Sequence, residues 1–141
     1  MEKFECILVV DDDAISNYLT RRLLEFNMEM ATSIFTAVNG EDALNFIKQY
    51  FEKQKLLPEI IFLDINMPVC DGFDFMRRFS LLDIPGKEEV QVVVLTTSSS
   101  HDDLNRMKEL GVKYYLNKPL NQEKLNDLFN KLKQEDHSNL V

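Results

Sequence analysis

At 141 residues the chain is the size of a single domain, about 100–150 residues. Its hydrophobic content of 45%, with ten Phe and no Trp, fits a packed core and excludes a disordered polymer. A formal net charge of -8 repels nucleic-acid phosphates, so direct DNA or RNA binding is not expected.

The first apolar run, Ile7-Leu8-Val9-Val10, predicts a strand over 5–10 that is buried on both faces. Asp11-Asp12-Asp13 follows, and Asp13 is placed to cap a helix reaching about residue 27. Ile15, Tyr18, Leu19, Leu23 and Phe26 recur at helical spacing and are expected to form its apolar stripe. A second strand is predicted over 33–38. The turn Asn39-Gly40 then leads into a helix with Ala43, Leu44, Ile47 and Phe51 on one face. Pro58 opens a third strand over 59–63, which ends at Asp64. Met67-Pro68 stops regular structure, and Asp71-Gly72 starts a helix carrying Phe73, Met76 and Phe79. After Pro85-Gly86 a fourth strand is predicted over 90–95, ending at Thr96. A polar helix over 100–110 uses Leu104, Met107 and Leu110 as its inner edge, with Gly111 at its C-terminus. The fifth strand is predicted over 112–116 and runs into Lys118-Pro119. Asn121 is placed to cap a last helix with Leu125, Leu128, Phe129 and Leu132 inward. Residues 134–141 read as a short polar C-terminal tail, which leaves 1–133 as the folded domain.

Strand and helix alternate five times, the pattern of a doubly wound α/β domain with a five-stranded parallel sheet between two helical layers. No apolar run approaches the roughly 20 residues of a membrane span, so no membrane insertion is expected. The N-terminus enters a strand pattern at once without the layout of an export signal, so the expected location is cytoplasmic. Cys6 and Cys70 lack metal-ligand spacing and read as ordinary reduced thiols.

The chemistry lies at the strand ends. Residues just past the carboxyl ends of parallel strands meet at one sheet edge, where open α/β sheets bind ligands. Here these are Asp11, Asp12, Asp64, Thr96 and Lys118. Crowded carboxylates repel one another unless a cation is present, and a hard divalent ion with oxygen ligands, Mg²⁺ by default, suits them. Helix capping accounts for one aspartate of the triplet but poorly for all three. Asp64 ends an apolar run, and a carboxylate there can ligate the same ion or accept a phosphoryl group. Thr96 and Lys118 supply a hydroxyl and an ammonium for phosphoryl oxygens. Pro119 leaves open a cis Lys-Pro bond that would fix the turn carrying the lysine.

Together these motifs resemble the receiver domain of two-component response regulators, in the stand-alone, CheY-like form. The resemblance covers about residues 4–133. It rests on Ile7-Leu8-Val9-Val10-Asp11-Asp12, Asn39-Gly40-Glu41-Asp42-Ala43-Leu44, Leu63-Asp64-Ile65-Asn66-Met67-Pro68 with Asp71-Gly72, Leu95-Thr96, and Tyr115-Leu116-Asn117-Lys118-Pro119. It implies a flavodoxin-like fold and a phosphorelay role. Asp64 is then the acceptor of a phosphoryl group from a sensor histidine kinase or phosphotransfer protein. Asp11, Asp12 and Asp64, with the backbone carbonyl of Asn66, are the implied Mg²⁺ ligands. Thr96 and Lys118 contact the phosphoryl group, and Tyr115 is the aromatic switch. A downstream protein is implied at the face of the fourth helix, fifth strand and fifth helix. The same resemblance makes the chain a signalling domain that catalyses only its own phosphorylation and dephosphorylation. Thr97 stands where the family usually has alanine, and Asn66 and Ser98 occupy positions that tune phosphate lifetime. The first helix near Ile15 and Leu19 is the expected kinase-docking surface.

Two other readings compete. Asp11-x-Asp13 after a first strand resembles haloacid-dehalogenase-type phosphatases, but leaves the segment 64–72 unexplained. A docking-only receiver fold would not need the complete acidic, Thr and Lys set.

Overall fold

The computed structural model describes residues 4–26, 31–97 and 101–139. The chain order is β1 (Phe4–Val10), α1 (Ala14–Phe26), β2 (Ala31–Ala37), α2 (Gly40–Gln54), β3 (Ile60–Asp64), α3 (Gly72–Ser80), β4 (Gln91–Thr96), α4 (His101–Glu109), β5 (Tyr114–Asn117) and α5 (Gln122–Asn139). A single 3₁₀ turn, Lys87–Glu89, follows Gly86. All strand pairs are parallel, and the strand order is β2-β1-β3-β4-β5. The order therefore reverses between β1 and β3, the switch point at which such sheets open a crevice.

Side-chain alternation splits the core. Leu8, Val10, Ile61, Leu63, Val92 and Val94 face α2, α3 and α4, where Leu44, Ile47, Phe75, Phe79 and Met107 cover them. Ile7, Val9, Ile60, Phe62, Val93 and Leu95 face the other way, against Leu24 of α1 and Leu125, Leu128, Phe129 and Leu132 of α5. Both faces are covered, which is why β1 and β3 read as continuous apolar runs.

Most expected boundaries shift by one or two residues. β5 is shorter than expected: Val112 and Lys113 precede it, because the Val112 amide closes the end of α4 on Met107 O at 3.0 Å. Asp13, Asn39, Asp71 and Asn121 cap their helices through side-chain oxygens that accept backbone N–H groups. Gly111, at φ 97, terminates α4. α5 continues to Asn139, beyond the residue at which the polar tail was expected to begin. The segment 134–139 holds no Pro or Gly to break a helix. Among the described residues no helix is long and apolar enough to cross a membrane.

α1 departs most from its pattern. Ile15 is 70% and Phe26 82% exposed, and Tyr18 and Leu19 are exposed as well. The helix instead buries Asn17, Thr20 and Leu24, the opposite stripe. At the N-terminal end of that inner face Asn17 donates to the carbonyls of Asp11 and Ala37 at the ends of β1 and β2, while Leu24 packs in the apolar core.

Two glycines fix the approach of the loops to the sheet edge. A Cβ on Gly40 would lie 2.6 Å from both the carbonyl oxygen and the sulfur of Cys70. A Cβ on Gly72 would lie 2.9 Å from Asp64 O and from Ile65 Cα, backbone atoms that have little freedom to give way. Gly72→Ala is therefore expected to lower stability by about 1–3 kcal/mol through overpacking. Urea unfolding of the variant checks this, and a midpoint equal to that of the parent chain would contradict the close approach.

Candidate functional site

The expected residues converge where β1 and β3 end. Asp11 follows β1, Asp12 comes next in the chain, and Asp64 is the last residue of β3. One carboxylate oxygen from each of Asp11, Asp12 and Asp64 lies within 4.8 Å of the others. Asp11 is buried, Asp64 is 8% exposed, and Asp12 faces solvent. The donor set consists of oxygens alone, the chemistry of a hard divalent cation rather than of zinc or copper.

Lys118 reaches this cluster from the β5–α5 turn. Its Nζ is 2.5 Å from Asp11 Oδ2 and 3.7 Å from Asp64 Oδ2. The turn is held from several directions. The Lys118 amide donates to Thr96 O at 3.0 Å, and the Lys118–Pro119 bond is cis. Lys124 Nζ donates to Asn117 O at 3.0 Å and to Pro119 O at 2.8 Å, the carbonyls on either side of the lysine. Thr96, at the end of β4, is buried on the same edge.

Unequal sharing of the ammonium splits the two buried acids. Burial pushes the Asp11 carboxyl up, but bonds from Lys118 and Ser16 and from the Asp13 amide outweigh it and hold it below the usual carboxylate range. Asp64 is pushed up to about 6, chiefly by burial. The more distant charge of Lys118 opposes that rise, and the charges of Asp11 and Asp12 add to it.

Asn66, two residues after Asp64, is exposed, and its amide donates to Asp64 Oδ1 at 3.4 Å. Thr97 is exposed, while Ser98 lies outside the described residues. Tyr115 points inward: its hydroxyl lies 3.1 Å from Val112 O and 3.3 Å from Leu104 O. Tyr114 packs on the opposite core cluster, so both tyrosines are half-buried, where plain alternation would have turned one to solvent. Cys70 is a free thiol that burial pushes up, although Arg78 Nη1 donates to it at 3.7 Å. It is not an activated thiolate.

Two contacts were not read from the sequence. Ser16 Oγ donates to Asp11 Oδ2 at 2.6 Å. Asn17 Nδ2 donates to Asp11 O at 2.8 Å and to Ala37 O at 3.1 Å. The available signal was the polar pair Ser16-Asn17 in the first turn of the helix that follows the acidic triplet.

The raised Asp64 carboxyl makes stability pH-dependent. A group whose folded value lies above its unfolded value of 3.8 contributes stability that is full below 3.8 and lost as pH rises through about 6. Without divalent cations, Asp64→Asn is expected to raise stability at pH 7.5 by roughly 2–3 kcal/mol. The gain should shrink at pH 5. Thermal melts at both pH values test this, and a variant no more stable than the parent chain at pH 7.5 would refute it.

With that geometry established, the chain can be set beside known proteins. Residues 7–130 match the family model of the response regulator receiver domain. Sporulation initiation phosphotransferase F of Bacillus subtilis is 31% identical over 129 residues, covering 90% of this chain and 92% of that protein. A solved two-component response regulator from Cytophaga hutchinsonii superposes with a TM-score of 0.82 at 29% identity, over 94% of this chain and 99% of the other. Response regulator Rcp1 of Synechocystis is 32% identical over 124 residues, 87% of this chain and 80% of its own. The Mn²⁺-bound form of Rcp1 superposes with a TM-score of 0.69 at 30% identity, over 88% of each chain. A family match across most of the sequence means that this chain belongs to the response regulator receiver domains.

Proposed function

We propose that Asp64 is the phosphoacceptor of this receiver, taking a phosphoryl group from a phosphohistidine of a sensor histidine kinase or phosphotransfer protein. One observation carries the reading: a lysine spans two buried carboxylates, 2.5 Å from Asp11 and 3.7 Å from Asp64. A purely structural ion pair would satisfy one acid. This arrangement leaves Asp64 the less neutralised of the two and the better able to react as a nucleophile. In the transfer the phosphorus–nitrogen bond of the donor breaks and a phosphorus–oxygen bond to the Asp64 carboxylate forms. The imidazole leaves and takes up a proton from solvent.

Asp11, Asp12 and Asp64, with the backbone carbonyl of Asn66, would hold Mg²⁺. When bound, the ion supplies positive charge against the repulsion between Asp64 and the phosphoryl oxygens. Lys118 adds a point charge on the same side. Thr96 would donate its hydroxyl to the new phosphoryl group. The acyl phosphate adds about -1.5 to -2 charge at the edge. Drawing Thr96 toward it displaces the end of β4 beside Tyr115 and alters the face of α4, β5 and α5. That face is the proposed contact for a downstream protein, in a cytoplasmic relay with no turnover of a separate substrate. The exposed Ile15, Tyr18 and Leu19 of α1 are the proposed contact for the phosphodonor. No observation favours the phosphatase reading. It needs Asp13 as a general acid, whereas Asp13 Oδ1 is engaged with the amide of Ile15 at 2.9 Å.

Incubation with acetyl phosphate and Mg²⁺ is expected to add one phosphoryl group, read by intact-protein mass spectrometry, and to leave Asp64→Asn unlabelled. Equal labelling of Asp64→Asn would remove the acceptor assignment. Tyr115→Ala is expected to keep labelling while losing most of the phosphorylation-dependent gain in affinity for an α4–β5–α5 partner. An undiminished gain, measured by calorimetry, would take Tyr115 out of the switch.

A further inference from the structure

Among the described residues, one buried side-chain atom has no hydrogen-bond partner, and it lies beside the acidic cluster: Asn17 Oδ1. Asn17 is only 6% exposed and sits on the inner face of α1. The rest of that amide is fully used. Its nitrogen donates one hydrogen to Asp11 O and one to Ala37 O, the last carbonyls before β1 and β2 part. The orientation is fixed by its neighbours, since reversing the amide would set its oxygen against two carbonyl oxygens.

The parallel ladder explains why a donor is needed there. The Asp11 amide still bonds Ala37 O at 3.0 Å. The next rung would need an amide on β2 to reach Asp11 O. The chain instead turns at Asn39 into α2, where the Asn39 side chain accepts the Asp42 amide at 2.8 Å. Asp11 O is thus left at the strand end, and the Asn17 amide takes the place of the missing rung. It ties the backbone on which Asp11 and Asp12 are mounted both to α1 and to β2. An apolar residue would remove the unpartnered Asn17 Oδ1, but it would leave Asp11 O without that donor and release that backbone.

We propose that Asn17 is a positioning residue of the cation site. It fixes the backbone at Asp11, and through it the placement of the Asp11 and Asp12 carboxylates relative to Asp64. It touches neither the ion nor the phosphoryl group. The inference rests on the Mg²⁺ site of the preceding subsection and deepens it.

Residues that hold ligands in place are worth about 10–100-fold in metal affinity. Calorimetric titration with Mg²⁺ is done on the wild-type chain, Asn17→Leu, Asn17→Ala and Asn17→Gln, below their melting temperatures. Asn17→Leu and Asn17→Ala are expected to bind at least about tenfold more weakly. Asn17→Gln keeps both N–H groups and is expected to recover most of the loss. A residue that only supports the fold would lower the melting temperature and leave the affinity of the folded protein unchanged. An unchanged dissociation constant in Asn17→Leu or Asn17→Ala therefore overturns the proposal. The wild-type chain gives a second readout that no variant can confound. The two Asn17 side-chain hydrogens should exchange with solvent at least tenfold more slowly than those of exposed Asn105, observed by NMR. Equal exchange rates would overturn the bonds on which the proposal stands. If the wild-type chain binds no Mg²⁺, the cation-site reading itself fails; if it binds and the variants match it, only the role of Asn17 fails.

Discussion

Two carboxylates are buried side by side where the strand order reverses, and one ammonium group serves both. Asp11 and Asp64 arrive from adjacent strands, and Lys118 spans them from β5. Like charges in a shielded site repel strongly, and a single counter-charge at unequal distances cannot relieve both. The cost falls on Asp64, whose carboxyl is pushed up to about 6, chiefly by burial, with the charges of Asp11 and Asp12 adding to the rise. A cation, or the loss of the negative charge, is what this edge needs. Stability and the proposed phosphoryl transfer are therefore one electrostatic problem at this site, and the surrounding loops serve to keep it concentrated.

That concentration is achieved by backbone more than by side-chain packing. Gly72 lets the loop after β3 lie against Asp64 O, and Gly40 donates its amide to Cys70 O at 3.0 Å, binding the β2–α2 turn to the same loop. Arg78 pairs with Glu41 across the same junction at 2.7 Å. On the far side, Lys124 gathers the two carbonyls that flank Lys118. Each device uses up local freedom, so the acid–lysine geometry is set before any ligand arrives.

Much of this was legible in the sequence because strand ends are marked by chemistry. Val10-Asp11, Leu63-Asp64 and Leu95-Thr96 are abrupt changes from apolar to polar, and a parallel sheet can only bring them to one edge. The core stripes of α2, α3 and α5 were equally readable, since Leu44, Phe79 and Leu128 have no other way to leave water. α1 was legible only in part. Periodicity shows that a helix has an apolar stripe, but not which way the stripe points. Ile15 and Leu19 face solvent, while the opposite stripe carries Asn17, which donates to the carbonyls at the ends of β1 and β2, and Leu24, which packs in the core. The sharing of Lys118 between Asp11 and Asp64 depends on contacts between residues far apart in the chain, which no local pattern encodes.

The hydroxyl of Tyr115 has one hydrogen and two carbonyls within reach, Val112 O and Leu104 O. It can donate to only one of them at a time. The polar anchor of the inward pose is thus a single neutral bond, worth about 1 kcal/mol net, offered by one carbonyl of α4 and one of the turn that follows it, beside the packing of the ring on the core. Such an anchor has a reserve: a hydroxyl that loses one carbonyl can turn its hydrogen to the other without moving the ring, so the polar contact survives the loss of either receptor and fails only with the loss of both.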